Sequence, residues 1–173
     1  MKIYSISPLE IFFSLKANSS LLVSLVRRDV AGRYKGSLLG LFWSFFNPIL
    51  MLAIYTFVFS VVFKARWAAG SDGSKSEFAL VLFAGLLVFN IFAECVNRAP
   101  GLIVSNPSYV KKVVFPLEIL PLVVLGGALF HALVSFVVWL IFSLFVVGIP
   151  HSTVLFFPLA LLPLIFFTLG CSW

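Results

Sequence analysis

The feature that most constrains this chain is residues 36–63, a run of 28 residues without a single charge. The hydrocarbon core of a bilayer is about 30 Å thick, and a helix needs roughly 20 apolar residues to cross it. The run is therefore long enough for one crossing with some tilt. A basic segment, residues 28–35, precedes it directly, and the positive-inside rule places such a flank in the cytoplasm. The pattern predicts a membrane protein whose N-terminus is cytoplasmic.

Composition supports this class for the whole chain. Hydrophobic residues make up 62% and charged residues only 10%, whereas soluble domains carry about 25% charged residues. Lipid must therefore be the solvent for most of the surface. The net charge of +6 does not indicate nucleic acid, because the Lys and Arg residues flank apolar runs, where they orient the protein and contact anionic headgroups.

Residues 20–36 are predicted to form an amphipathic interfacial helix. Its apolar side consists of Leu21, Leu22, Leu25, Val26 and Val30. Its polar side consists of Ser24, Arg27, Arg28 and Ala31. Asp29 and Arg33 fall on the apolar side, four residues apart, where they can pair with each other. Alternatively, they contact a partner subunit or an anionic substrate.

Four apolar segments have the length of membrane spans, at residues 37–63, 78–96, 118–147 and 154–173. The predicted fold class is thus an all-α integral membrane protein, with one interfacial helix and four transmembrane helices in a single domain. Asn47-Pro48 lies inside the first span, where proline removes a backbone hydrogen bond and kinks the helix. Gly126-Gly127 in the third span indicates close contact between helices.

Glu94 and His131 are two of the ionisable residues inside the spans. Glu94, near the inner end of the second span, is expected to reach either lipid headgroups or Arg98. His131 lies in the apolar third span and is interpreted as a neutral, hydrogen-bonded structural residue, with a proton relay as the alternative.

The loop between the second and third spans contains a second predicted amphipathic helix, at residues 104–115. Asn106-Pro107 is typical of a helix start, with Asn as the cap and Pro as the first helical residue. Pro116 disfavours helix at the preceding residue. Lys111 and Lys112 share one side of this helix. A simple surface turn is the alternative.

Signatures of catalysis and metal binding are absent from the sequence. The two cysteines, Cys95 and Cys171, are far apart, and no C-x-x-C or Cys/His cluster indicates a metal site. The six acids are scattered singly, which argues against an enzyme acting on lipid-linked sugars. No G-x-x-x-x-G-K-[ST] motif occurs, so any ATP hydrolysis would take place in a separate chain.

Two motifs resemble the membrane subunits of type 2 ABC exporters, in particular those that move O-antigen, capsule and teichoic acid. The first comprises Arg28-Asp29, Arg33-Tyr34-Lys35-Gly36-Ser37, Leu39-Gly40, Trp43 and Asn47-Pro48. The second comprises Asn106-Pro107, Val110-Lys111-Lys112-Val113, Phe115-Pro116 and Ile119-Leu120-Pro121. The resemblance covers nearly the whole chain from about residue 20.

The resemblance implies a channel subunit in the bacterial inner membrane. Its partners would be an ATPase subunit that binds ATP and Mg²⁺, a second copy of the chain that completes the channel, membrane lipids and a lipid-linked glycan. This chain itself would bind no cofactor. The interfacial helix would form a cytoplasmic gate for the substrate, with Arg27, Arg28, Asp29, Arg33, Tyr34 and Lys35. The helix at 104–115 would couple to the ATPase through Asn106, Pro107, Tyr109, Lys111 and Lys112.

The number of spans and the cargo are the two points at which this chain could differ from such subunits. Such subunits have six spans, so a chain with four is expected to be a piece that lacks the last two. An exporter of drugs or small lipids, sharing the fold but not the cargo, is the alternative function.

Overall fold

The computed structural model describes residues 19–36, 40–62, 75–105, 119–146, 148 and 152–172. Within these ranges all regular secondary structure is helical, which confirms the all-α prediction. The α-helices are α1 (Ser19–Tyr34), α2 (Trp43–Phe57), α3 (Lys75–Arg98), α4 (Ile119–Val146) and α5 (Phe157–Ser172). Of the helix predicted at 104–115, the structure describes only residues 104 and 105, which belong to a turn. The rest of it lies outside the described residues.

Three helical segments are long and apolar enough to cross a bilayer, namely Phe78–Gly101, Ile119–Val146 and Ser152–Ser172. The helix α2 is shorter, with 15 residues. A 3₁₀ turn at Gly40–Phe42 precedes it, and a π-helix at Val58–Val62 continues it. These segments make the chain a multi-pass membrane protein. The predicted limits of its membrane spans stay a prediction.

The longest helix, α4, is the centre of the bundle and packs against α1, α2, α3 and α5. The main buried cluster includes Leu87, Ile91 and Cys95 of α3 and Val124, Ala128 and Ala132 of α4. Each set recurs every fourth residue, which places its members on one face of its helix. The two faces meet, and partly buried residues of α5 pack against them.

The helix α1 lies across the beginning of α4. Leu25 and Val30 are buried, while Arg27 and Arg28 are exposed, so the predicted apolar and polar sides are both observed. Leu25 packs against Ile119 and Val123. The helix ends before Gly36, whose φ of 94° lies in the left-handed region that glycine adopts readily.

Candidate functional site

Four charged side chains of α1 and α3 meet at one end of the bundle. We call Asp29, Arg33, Glu94 and Arg98 the ionic cluster. The two guanidinium nitrogens of Arg98 donate to the two carboxylate oxygens of Asp29, at 2.8 and 3.1 Å. Arg33 donates to Asp29 at 3.0 Å and also forms an ion pair with Glu94. Arg98 lies 3.6 Å from Glu94. Two acids and two bases therefore neutralise one another between the helices.

The ionic cluster is partly withdrawn from solvent, with side chains between 20% and 36% exposed. Burial raises the pKa of Asp29, but hydrogen bonds and charges from Arg98 and Arg33 outweigh it, so the net pKa lies below its usual value. A bidentate contact of this kind also fixes geometry, because both planar groups must align. The cluster therefore holds α1 in one orientation against α3.

Two consecutive glycines of α4 give α1 the room to approach. A Cβ atom on Gly126 would lie 2.6 Å from a methyl carbon of Val26. A Cβ atom on Gly127 would lie 3.0 Å from both the Arg33 guanidinium and the Asp29 carboxylate. The close helix contact predicted from this glycine pair is thus observed. This contact places Gly127 of α4 next to Asp29 and Arg33 of the ionic cluster.

The end of α1 is also joined to the middle of α4. The Tyr34 hydroxyl lies 3.1 Å from Nδ1 of His131, and the two rings meet edge to face. Tyr34 is further hydrogen-bonded to Ser44 of α2. Burial raises the pKa of Tyr34. His131 is thus hydrogen-bonded, which agrees with its interpretation as a structural residue.

A cavity of about 620 Å³ opens between α2, α3 and α4 on one side of the ionic cluster. We call it the polar cavity, because uncharged polar side chains from all three helices line it. These are Ser44 and Asn47 of α2, Asn90 of α3, and His131 and Ser135 of α4. Arg33, Tyr34 and Glu94 line the end nearest α1.

A second cavity of about 490 Å³ lies on the other side of the cluster, between α1, the end of α3 and the beginning of α4. Four cationic side chains and one acid line it, so we call it the cationic cavity. They are Arg28, Arg33, Lys35, Arg98 and Asp29. Clustered Arg and Lys side chains suit an anionic ligand, and guanidinium groups in particular bind phosphate in a bidentate manner.

Comparison with known proteins identifies the family. The model of the ABC-2 type transporter membrane family matches residues 20–173, which is most of the chain. The chain belongs to the ABC-2 type transporter family. This agrees with the resemblance drawn from the two motifs.

Individual relatives are similar over the same region. An O-antigen export system permease protein RfbA from Myxococcus xanthus is 31% identical over 153 residues, which is 88% of this chain. Two proteins of the same name from Klebsiella pneumoniae are 33% and 31% identical over 156 residues. The chain spans 56% of the length of each of these relatives.

The structure separates the predicted gate residues of this ABC-2 family member into three groups. Arg28, Asp29, Arg33 and Lys35 line the cationic cavity. Tyr34, together with Asn47 and Pro48 of α2, lines the polar cavity. Arg27 instead borders a mainly apolar groove between α1 and α4, with a volume of about 640 Å³. The predicted coupling residues Asn106, Pro107, Tyr109, Lys111 and Lys112 lie outside the described residues.

Sequence reasoning paired Asp29 with Arg33 and Glu94 with Arg98, but it did not join the two pairs. The available signal was their spacing, since each helix carries an acid followed four residues later by a base. The polar cavity was also missed. Its signal was the presence of Asn90 and Ser135 within otherwise apolar spans, where polar residues line cavities or pair with one another.

Proposed function

We propose that this chain is the channel-forming permease subunit of an ABC transporter that exports a lipid-linked cell-surface polysaccharide, such as O-antigen or capsule, across the bacterial inner membrane. The observation that carries the proposal is the similarity to O-antigen export permeases over 88% of the chain. A second copy of the chain would complete the channel. The charged end of the bundle, with the ionic cluster, would face the cytoplasm.

The cationic cavity supports an anionic substrate. A glycan carried on a lipid through a diphosphate presents its negative charge at the level of the headgroups. Arg28 and Lys35, which are not part of the charge-balanced ionic cluster, line a cavity at the end of the spans, where such a group would arrive. An exporter of neutral drugs would not need this concentration of positive charge, so the cavity favours the polysaccharide exporter over the alternative.

The ionic cluster would connect the gate helix α1 to the ATPase subunit mechanically. Arg98 ends α3 and is hydrogen-bonded to Asp29 of the gate helix α1. The chain then leads through Ala99–Gly101 towards the predicted coupling helix at 104–115. Nucleotide-driven closure of a separate ATPase subunit would push the coupling helix and tilt α3. The cluster would transmit that movement to α1.

Co-purification tests the proposal. The chain is expressed with the ATPase subunit of the same transporter, and the complex is isolated in detergent through a tag on the chain. We expect the ATPase to be retained, and Lys111→Glu with Lys112→Glu to release it by reversing the charge of the docking surface. A matched control reverses two charges in residues 64–77, the polar loop between the first two predicted spans, with Lys64→Glu and Arg66→Glu. The alternation of the spans would place this loop on the opposite side of the membrane. The control should retain the ATPase.

Two outcomes would contradict the proposal. If neither the unaltered chain nor a six-span version of it captures the ATPase, it is not the permease subunit of an ABC transporter. If both double variants release the ATPase equally, the loss reflects a general disturbance of the chain, and residues 104–115 are not the coupling helix.

A further inference from the structure

The polar cavity has the dimensions and the lining of a ligand site. Its volume of about 620 Å³ falls within the range of roughly 300–1,000 Å³ typical of small-molecule pockets. Asn47, Asn90 and Ser135 reach it from three different helices. Polar side chains in membrane helices are rare, and they line hydrated cavities or pair with one another. Their convergence on one cavity indicates a ligand that makes hydrogen bonds.

His131 provides a second observation at the same site. Its Nδ1 atom is 3.1 Å from the Tyr34 hydroxyl, which fixes the orientation of the ring. Its Nε2 atom is buried and has no hydrogen-bond partner in the part of the chain that the structure describes. A buried polar atom without a partner carries a free-energy cost. Because Nε2 has almost no accessible surface, a ligand in the cavity would contact other atoms of His131, which lines the cavity, and not Nε2.

The electrostatics of the polar cavity favour a neutral ligand. The charged side chains in its described lining are Arg33 and Glu94, which form an ion pair with each other. The rest of the polar lining offers the amides of Asn47 and Asn90 and the hydroxyls of Ser44 and Ser135, each able to donate and accept. The indole ring of Trp43 also lines the cavity and is 46% exposed. An apolar face with a single polar edge complements the mixed surface of a sugar ring.

The neighbouring cavity has the opposite character and shares a wall with this one. Arg33 lines both the polar cavity and the cationic cavity. We propose that the polar cavity binds the sugar that adjoins the diphosphate of a lipid-linked glycan, while the diphosphate occupies the cationic cavity on the other side of Arg33. This inference rests on the proposed export function and adds to it a defined sugar site. Asn90 and Ser135 are its hydrogen-bonding residues, and His131 lines the same cavity beside them.

A binding experiment with two probes tests whether the sugar and the diphosphate bind in separate cavities. The chain is reconstituted in lipid nanodiscs and titrated with a prenyl diphosphate and with the same prenyl diphosphate bearing one N-acetylhexosamine. We expect the sugar-bearing probe to bind about ten-fold more tightly, as one or two additional net hydrogen bonds would give. Asn90→Leu combined with Ser135→Ala should abolish this advantage and leave the affinity for the bare diphosphate unchanged.

Two further variants locate the two halves of the site. Asn97→Leu changes an exposed asparagine on the same helix, outside the lining of both cavities, and should retain the ten-fold advantage. Arg28→Gln with Lys35→Gln, in the cationic cavity, should weaken both probes by the same factor. If it weakens only the sugar-bearing probe, the assignment of the two cavities is wrong.

The remaining outcomes separate this inference from the proposed function. Equal affinity for the two probes in the unaltered chain overturns the sugar site but leaves the export function standing. An equal loss for both probes in the Asn90 and Ser135 variant also overturns it, because the residues then act through the fold. Failure of the unaltered chain to bind either probe overturns the inference together with the proposed diphosphate-linked substrate.

Discussion

The contact between Asp29 and Arg98 yields a quantitative prediction. The two hydrogen bonds that join them measure 2.8 and 3.1 Å. Removing one partner of a fully buried ion pair costs about 3–5 kcal/mol, whereas an exposed pair contributes about 0–1 kcal/mol. The side chains are 20% and 36% exposed, which places the pair between these limits. We therefore expect a coupling free energy of about 2 kcal/mol.

A double-mutant cycle measures this coupling. The free energy of unfolding is determined by reversible titration with dodecyl sulfate in mixed micelles, for the unaltered chain, Asp29→Asn, Arg98→Gln and the double variant. Each single variant should lose about 2–3 kcal/mol, because each leaves a partly buried partner unpaired. The double variant should lose about 2 kcal/mol less than the sum of the singles. Arg27→Gln, in the same helix but outside the ionic cluster, should change stability by less than about 0.5 kcal/mol.

The reasoning would be refuted if the two single effects added to within about 0.5 kcal/mol, since residues that do not interact behave additively. Acid gives an independent check. The pKa of Asp29 is lowered in the folded chain, so its carboxylate stabilises the fold above its unfolded pKa of about 3.9. That stabilisation disappears as the pH falls through the lower, folded-state pKa. The difference in free energy of unfolding between the unaltered chain and Asp29→Asn should therefore have its full value at neutral pH and disappear only below about pH 4.

Two further substitutions test the packing around the site. Gly126→Ala should destabilise the chain by about 1–2 kcal/mol in the same titration, because the new Cβ would lie 2.6 Å from Val26. Gly85→Ala, with nothing within 4 Å of its Cβ, should instead be neutral or slightly stabilising, and equal effects at the two glycines would show that no close approach exists. Trp139→Phe removes the 2.9 Å hydrogen bond from the indole to the carbonyl of Leu80. It should cost about 1 kcal/mol, and an unchanged unfolding midpoint would contradict a role for that bond.

The membrane class and the helical fold follow from the sequence because lipid imposes strong rules. Apolar segments of about 20 residues have the length of a spanning helix, which pairs the backbone groups that are too costly to leave unpaired in hydrocarbon. The pairing of Asp29 with Arg33 also follows, because it depends only on a spacing of four within one helix. The glycine pair at 126–127 indicated a close contact, but it did not indicate that α1 was the helix in contact.

The polar cavity depends on features that one sequence does not contain. The side chains that line it come from helices whose rotation about their own axes is set by packing against α4. Asn47, Asn90 and Ser135 look like isolated polar residues when each helix is considered alone. Only the packing of α2, α3 and α4 brings them to one cavity. Sequence analysis can therefore identify such residues as candidates, but it cannot show that they share a site.

The order of acid and base along α1 and α3 also bears on which residues of the ionic cluster pair with each other. In both α1 and α3 the acid precedes the base by four residues. If the two helices ran in the same direction, this order would place like charges opposite each other. In the observed pairs, Asp29 with Arg98 and Arg33 with Glu94, the earlier residue of one helix contacts the later residue of the other. The same order of charges in two helices thus favours this crossed pairing over one of like charges, and Arg33, which takes part in it, lines both cavities.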